Sequence, residues 1–425
     1  MQIEDLYKIY LEYPGIQTDT RKIKPGDIFF ALKGPNFNGN DYLQKALELG
    51  AAYCVGDEPQ SGINDRILIF DDSLETLQQL AKYHRQQFKI PFIAITGSNG
   101  KTTTKELVHE VLSAKYKCYT TEGNLNNHIG IPLTILKIKP DAEIAVIEMG
   151  ANHQKEIEGY CRYALPTHGN ITNIGKAHLE GFGGEEGVKK GKGELLVYLR
   201  QNGGTAFINN DYAVLIELSA GISDIITYGT SAADYIGEIR QDSGLLEVAI
   251  TKGADLPSIK TQLVGGYNLP NVLTAVCIGK TFGVPDEHIR TALEQYVPSN
   301  SRSQLLQKGT NRIILDAYNA NPTSMKAAIE NFAKMEGGNK VLVLGGMMEL
   351  GDASEKEHAQ IVETIAKYHW TKVVLAGKDY QQLPAGYLHF NNSAEAAEWY
   401  KTQHFEHAQI LVKGSRSMQM EKILE

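Results

Sequence analysis

The chain has 425 residues, with 42 Lys+Arg against 50 Asp+Glu and a formal net charge of −8. Its length predicts about two to four domains and enough buried core to fold without disulfide or metal staples. The acidic balance argues against a general nucleic-acid binder, which needs a positive face, and 42% hydrophobic with 22% charged residues is the composition of a folded rather than a disordered chain.

Over the first ~88 residues, short apolar runs at Ile28–Leu32 and Ile67–Phe70 flank a helical pattern near Tyr42–Leu49, and a polar helix, Leu74–Phe88, leads out. A new alternation then begins. Phe92–Thr96 reads as a buried strand, Thr102–Leu112 as a helix, Glu143–Glu148 and Gly169–Ile174 as strands, and Glu185–Arg200 as a helix. Short apolar strands alternating with helices imply a mainly parallel sheet covered on both faces. Residues 234–263 break that rhythm with β-prone runs around Asp242-Ser243-Gly244, which predicts an antiparallel insertion. Asn271–Phe282 is helical again. Pro298-Ser299-Asn300 marks a domain boundary. Beyond it the strands Arg312–Leu315, Lys340–Leu344, Lys372–Ala376 and Gln409–Val412 alternate with helices near Ser324–Met335, Glu357–His369 and Ala394–Thr402. The fold class expected is α/β in three domains: a small α/β N-terminal domain (1–88), a central P-loop ATPase-like parallel sheet with an antiparallel insertion (89–298), and a C-terminal Rossmann-like domain (299–425).

Cys54, Cys118, Cys161 and Cys277 form no CxxC pair, so neither a disulfide framework nor a zinc cage is expected. No run of about 18 apolar residues occurs, and Met1 to Leu11 is too polar for a signal peptide. A soluble, cytoplasmic protein without a membrane partner follows as the expectation.

The sharpest local signal is Thr96-Gly97-Ser98-Asn99-Gly100-Lys101-Thr102-Thr103-Thr104, between a strand and a helix. Its glycines let backbone N–H groups converge on phosphate oxygens, and the helix N-terminus adds partial positive charge. Lys101 can reach terminal phosphates and the Thr102 hydroxyl can bind Mg²⁺. The longer Walker spacing is broken by Ile95, so the bland alternative is a Gly-rich turn. Glu148 closes a strand at the edge where open α/β sheets bind ligands. It is either a Mg²⁺ ligand or a solvated strand end. His178, after the next strand, is either a metal ligand or a solvated loop residue. Lys189, Lys190 and Lys192 read equally as a solvated basic face or as charge neutralisation near phosphates.

Nine blocks in one order resemble the Mur ligases, the ATP-dependent amide-forming enzymes of peptidoglycan synthesis. They are Thr18–Arg21 with Lys24–Asp27, Thr96–Thr104, Glu122–Asn127, Glu148–His153, His178–Phe182, Asn268–Asn271, Asp316–Pro322, Met348–Gly351 and Lys413–Ser417. The chain departs from the family pattern at Asn38, where aspartate is more usual, and at Ser301 before Arg302, where glycine is common.

The resemblance implies a ligase that adds D-alanyl-D-alanine to UDP-N-acetylmuramoyl-tripeptide through an acyl phosphate, acting as a monomer with ATP and two Mg²⁺ ions. It gives Gly97, Ser98, Asn99, Gly100, Lys101, Thr102 and Thr103 to the ATP phosphates, and Thr102, Glu148 and His178 to metal. Asn271 would lie beside the adenine, with Arg302 and Asp316 reaching ATP from the third domain. Lys192 matches the lysine that the family carbamylates with CO₂. Thr20, Arg21, Lys33 and Asn40 match the UDP-sugar site, and Asn124, Asn126, Asn127, Asn152 and His153 the sugar-peptide groove. Tyr318, Asn319 and Asn321 match the face toward the dipeptide. Folylpolyglutamate synthases share the architecture but not the Glu122–Asn127 and Asp316–Pro322 blocks. A bare P-loop switch or motor lacks a use for His178–Phe182 and for a third domain with its own ATP contacts.

Overall fold

A computed structural model of the chain describes residues 1–59, 64–241, 244–299, 301–380 and 386–425. Asp242 and Ser243 of the expected turn, and Asn300 of the expected boundary, lie outside the described residues. The chain forms two compact units, one of residues 1–94, 116–150 and 156–168, the other of residues 95–115, 151–155 and 169–425.

In the first unit a four-stranded parallel sheet runs Ile16–Gln17, Ile28–Phe30, Tyr53–Gly56, Ile67–Ile69. The pairing sets Phe29 opposite Cys54, and both belong to a core with Ala31, Leu43, Ala46, Leu47 and Ala51. The following helix, Ser73–Gln86, starts where Asp72 accepts the Glu75 N–H at 2.7 Å, an ordinary N-cap. Its buried residues include four polar ones with assigned partners, Ser73, Thr76, His84 and Arg85. Arg85 donates to the carbonyls of Ala164, Leu165 and Phe88 and lies 3.7 Å above the Phe92 ring. His84 Nε2 lies 2.8 Å from Ile138 O, and burial lowers its pKa. These bonds satisfy polar atoms that the apolar surroundings would otherwise penalise. The same unit holds the neighbouring strands Cys118–Thr120 and Ile144–Glu148, beside the first residues of Phe92–Thr96.

The second unit holds the end of Phe92–Thr96, His168–Ile171 from Gly169 on, Thr205–Asn209, Asp224–Gly229, Tyr235–Gln241, Leu245–Lys252 and Leu256–Val264, neighbours in that order. The last three strands pair antiparallel with one another, as expected for the insertion, while Tyr235–Gln241 joins Asp224–Gly229 in parallel. The central sheet is therefore mixed. Helix Leu269–Thr281 is buried on nearly every side, which explains why it is mostly apolar all round, Asn271 and Thr274 apart.

Residues 304–413 build a six-stranded sheet in the order Gln304–Lys308, Asn311–Asp316, Gln409–Lys413, Lys340–Gly345, Lys372–Ala376, Leu388–Phe390. Only the first pair is antiparallel. Register puts Asp316 directly opposite Lys413, at the C-terminal ends of two parallel strands, the edge that binds ligands in such sheets. No helix of the described residues is long and apolar enough to cross a membrane.

Candidate active site

The phosphate loop leaves its strand at Gly97 (φ +137°) and enters helix Lys101–Ser113 at Gly100 (φ +76°). A Cβ on Gly97 would stand 2.1 Å from Thr172 Oγ1, and one on Gly100 2.7 Å from Asn271 Oδ1. Both positions thus need glycine twice over, for conformation and for space. Asn173 accepts the loop amides, the Ser98 N–H on its carbonyl and the Asn99 N–H on its side chain, each at 3.0 Å. Thr172 Oγ1 and Asn173 Nδ2 donate to Asn99 O. This use of residues 172 and 173 explains why the expected strand Gly169–Ile174 stops at Ile171. Lys101 Nζ donates to Gly97 O at 2.8 Å and Ser98 O at 3.2 Å. Thr102 is buried and Thr103 half-buried. Asn271 is wedged behind the loop, accepting from Thr104 Oγ1 at 3.1 Å and donating to Asn268 Oδ1 at 2.8 Å.

Lys192 is 0% exposed, donates to Ala151 O at 2.8 Å and has its Nζ 4.9 Å from the Phe182 ring centroid. The basic run therefore splits: Lys189 pairs with Glu217 at 2.9 Å, Lys190 is exposed, and Lys192 is interior. Two glycines in helix Glu185–Asn202 make this close packing fit. A Cβ on Gly187 would lie 1.9 Å from Phe182 O, and one on Gly191 2.4 Å from the Phe182 ring. Asn152 and His153 are exposed beside Gly181, whose own Cβ would meet Asn152 O at 2.4 Å.

His178 and Glu349 meet through Nδ1 and Oε2. Both backbones are left-handed, at φ +53° and +63°. A non-glycine residue there costs roughly 1–2 kcal/mol, whereas one exposed hydrogen bond returns about 0.5–1.5 kcal/mol. The His178 hydrogen bond holds the Glu349 carboxyl below its usual pKa, against partial burial. Two further contacts join the same segments, Lys176 Nζ to Glu357 at 2.6 Å and Lys176 N to Thr323 Oγ1 at 3.1 Å.

From residues 301–322, Asn321 caps helix Pro322–Lys334 and donates from Nδ2 to Asn99 Oδ1 of the phosphate loop at 2.8 Å. Asp316 accepts from Lys413 Nζ at 2.6 Å and from Ser303 N at 3.0 Å. Arg302 lies 3.6 Å above the Tyr318 ring, a cation–π contact. Asn319 is exposed, with Oδ1 taken by the Ala320 N–H. Glu349 and Lys413 lie in the Met348–Gly351 and Lys413–Ser417 blocks, but nothing local in the sequence gives either a role, because their partners are 171 and 97 residues away.

The first unit carries the remaining candidates. Glu148 is 1% exposed, not a solvated strand end. Its Oε1 accepts from Asn126 Nδ2 at 2.7 Å, and its Oε2 has no hydrogen-bond partner among the described residues. Asn127 caps the turn at Ile129 and Gly130, while Asn124 is exposed. Lys33 pairs with Asp57 and Glu58, each at 2.9 Å. Asn40 is buried between Asn38 and Asp57, its Nδ2 2.7 Å from the latter. Thr20 is half-buried, and Arg21 is exposed and paired with Asp19. Nothing in the sequence singled out Asp57 or Glu58.

In this unit, a buried carboxylate with one unused oxygen suits a hard cation; in the other unit, the buried Thr102 hydroxyl is an oxygen donor of the same hard type. Among the described residues no group of three or more His, Cys, Asp or Glu could hold a metal ion by itself.

Three family descriptions match the chain in succession: "Mur ligase family, catalytic domain" over residues 12–85, "Mur ligase middle domain" over 95–279, and "Mur ligase, glutamate ligase domain" over 301–416. The UDP-N-acetylmuramoyl-tripeptide–D-alanyl-D-alanine ligase of Bacillus subtilis (strain 168) is 35% identical over 97% of this chain and 92% of its own length. Among solved structures, MurF from Acinetobacter baumannii matches with a TM-score of 0.90 at 30% identity, covering 98% of this chain and 97% of that one. MurF ligase from Thermotoga maritima in complex with ADP matches with a TM-score of 0.88 at 26% identity, covering 97% of each chain.

Proposed function

This chain belongs to the Mur ligase family, and we propose that it joins D-alanyl-D-alanine to UDP-N-acetylmuramoyl-tripeptide at the expense of ATP. We assign residues 1–88 to the UDP-sugar, 89–298 to ATP and 299–425 to the dipeptide. What carries the reading is the hydrogen bond from Asn321 to Asn99, because it sets the segment assigned to the incoming amine against the loop assigned to the nucleotide.

In this reading the tripeptide's terminal carboxylate attacks the γ-phosphorus of ATP, the bond to the β-phosphate oxygen breaks, and ADP leaves. The dipeptide amine then attacks the acyl phosphate carbon, and phosphate departs from the tetrahedral intermediate as the amine loses its proton. Two anions must approach in the first step. Lys101 leaves the Gly97 and Ser98 carbonyls to bind phosphate oxygens, and the loop amides bind the remainder. Thr102, Glu148 and His178 would hold Mg²⁺, which supplies charge neutralisation when bound. Asn126 orients the Glu148 carboxylate. Lys192, once neutral, would add CO₂ to give an anionic carbamate and release a proton. Its seat at Ala151 O, beside Phe182, keeps bulk water from the product. Arg302 and Asp316 reach ATP, and Tyr318, Asn319 and Asn321 orient the dipeptide. Thr20, Arg21, Lys33 and Asn40 hold the UDP-sugar; Asn124, Asn126, Asn127, Asn152 and His153 hold the sugar-peptide. A UDP-linked precursor and four free cysteines support a cytoplasmic setting.

The test is phosphate release from Mg·ATP with UDP-MurNAc-tripeptide and D-alanyl-D-alanine, singly and together, with mass spectrometry of the product. Release that requires both, and a pentapeptide mass, is expected. Release indifferent to both would leave an ATPase. Activity only with UDP-MurNAc-dipeptide and a diamino acid would place the enzyme one step earlier. A ¹³C resonance from ¹³CO₂ that is lost in Lys192→Arg tests the carbamate separately.

A further inference from the structure

His178 takes its place in the proposed chemistry as a metal ligand, yet its Nδ1 is already engaged by Glu349. Glu349 has no part in the assignments above. The two residues lie 171 positions apart, and each is a non-glycine residue in the left-handed region. One exposed hydrogen bond returns no more than about 0.5–1.5 kcal/mol, less than two such strained backbones cost, so the surroundings must over-determine both conformations, and strain held in this way marks functional sites. The surroundings do so. Glu180 N donates to Glu349 O at 3.3 Å. Gly351, itself at φ +54°, brings its backbone so close that a Cβ would lie 3.3 Å from the Cβ of Glu180. Lys176 and Glu357 pair alongside. The Glu349 carboxylate is thus delivered to one ring nitrogen by two segments locked backbone to backbone.

We propose that Glu349 is the positioning residue for His178: its carboxylate accepts the Nδ1–H and so leaves the Nε2 lone pair to face the metal or a water bound to it. The assignment rests on the reading of His178 as a metal ligand. The chemistry is general, because a ligating imidazole donates its other N–H to a carboxylate or carbonyl, which fixes tautomer and ring orientation. Here the carboxylate comes from residues 340–351, so the imidazole is set only when that segment is docked against Lys176–Glu180.

The test uses the full chain labelled with ¹⁵N-histidine, with His178 assigned by comparison with His178→Ala. In the metal-free wild type, the His178 ring nitrogen shifts should report the neutral Nδ1–H form. Glu349→Ala should move them toward the Nε2–H form that free imidazole prefers, while Glu349→Gln, which keeps an acceptor oxygen, should retain Nδ1–H. Mn²⁺ binding to the complex with a non-hydrolysable ATP analogue, followed by electron paramagnetic resonance, should weaken about 10–100-fold in Glu349→Ala and by less in Glu349→Gln. If Glu349→Ala changes neither tautomer nor Mn²⁺ affinity while His178→Ala weakens Mn²⁺, the positioning role is overturned and the ligand reading stands. If His178→Ala leaves Mn²⁺ affinity intact, the ligand reading itself fails and the proposal falls with it. Should Glu349→Ala unfold, Glu349→Gln decides by its affinity and tautomer alone.

Discussion

Lys101 spends its ammonium on two carbonyls of its own loop, which a triphosphate would have to outbid with charge-assisted bonds. Lys101→Ala should therefore lower turnover by roughly 10²–10³ or more with an unchanged circular dichroism spectrum; near-normal turnover would remove the loop from the mechanism. Asp57 shows a different balance. Burial pushes its pKa up, but bonds from Lys33, Asn40 and the Ser73 N–H prevail and hold it below the usual carboxylate range. A depressed folded-state pKa stabilises above the unfolded value and is lost as pH falls through the folded one. Urea midpoints at pH 7 and pH 3 should thus differ less in Asp57→Asn than in the wild type; an equal difference would show that another group governs the acid side. Cysteine accessibility gives a third expectation. Cys54, Cys161 and Cys277 are buried, and burial pushes the Cys54 thiol up to about 12. Mass spectrometry after brief maleimide treatment of the native chain should find label only at Cys118, since the thiolate is the reactive form.

Helix Glu185–Asn202 and helix Glu156–Ala164 make opposite use of glycine. Ala is favoured over Gly in a helix by about 1 kcal/mol, and nothing lies within 4 Å of a Cβ placed on Gly159. Gly159→Ala should raise the thermal midpoint. On Gly187 the same methyl meets Phe182 O at 1.9 Å, and overpacking costs about 1–3 kcal/mol, so Gly187→Ala should lower the midpoint. Two shifts of the same sign would contradict the packing. The contrast also marks what the sequence could reveal. Interior strands such as Lys372–Ala376, and helices such as Ser73–Gln86, were legible to within a residue or two, because burial enforces an apolar pattern. The half-buried strand Cys118–Thr120 and the antiparallel strand Gln304–Lys308 carry no such pattern, and the helix Gly130–Leu136, though apolar and mostly buried, is too short to show a helical period. At the site, the phosphate loop was legible because its chemistry is local. Glu349, Lys413 and Asp57 were not, because their roles arise from partners brought near only by folding.

At the scale of the larger unit, three contacts between side chains fasten residues 316–357 to the nucleotide segment, beside the backbone bond from Lys176 to Thr323: Asn321 to Asn99, Glu349 to His178, and Glu357 to Lys176. The third differs in kind. The Glu357 side chain is 5% exposed and that of Lys176 is 31% exposed, so removing the lysine leaves a carboxylate in a place poor in water. A fully buried pair loses about 3–5 kcal/mol when one partner is removed; solvent reaches Lys176, so roughly 1–3 kcal/mol is expected for Lys176→Met. Glu357→Gln should be milder, because an amide tolerates the site without a counter-charge. A double-mutant cycle by urea unfolding should then give a clear coupling energy. Local opening adds a sharper reading. If the three contacts act as one fastening, Lys176→Met should speed hydrogen exchange in helix Ser354–Ala366 and also at the amides of Ser98 and Asn99, which touch neither Lys176 nor Glu357 in any assigned bond. Faster exchange confined to Ser354–Ala366 would mean that the contacts open independently, and that nucleotide binding cannot draw on this pair to hold residues 316–357 in place.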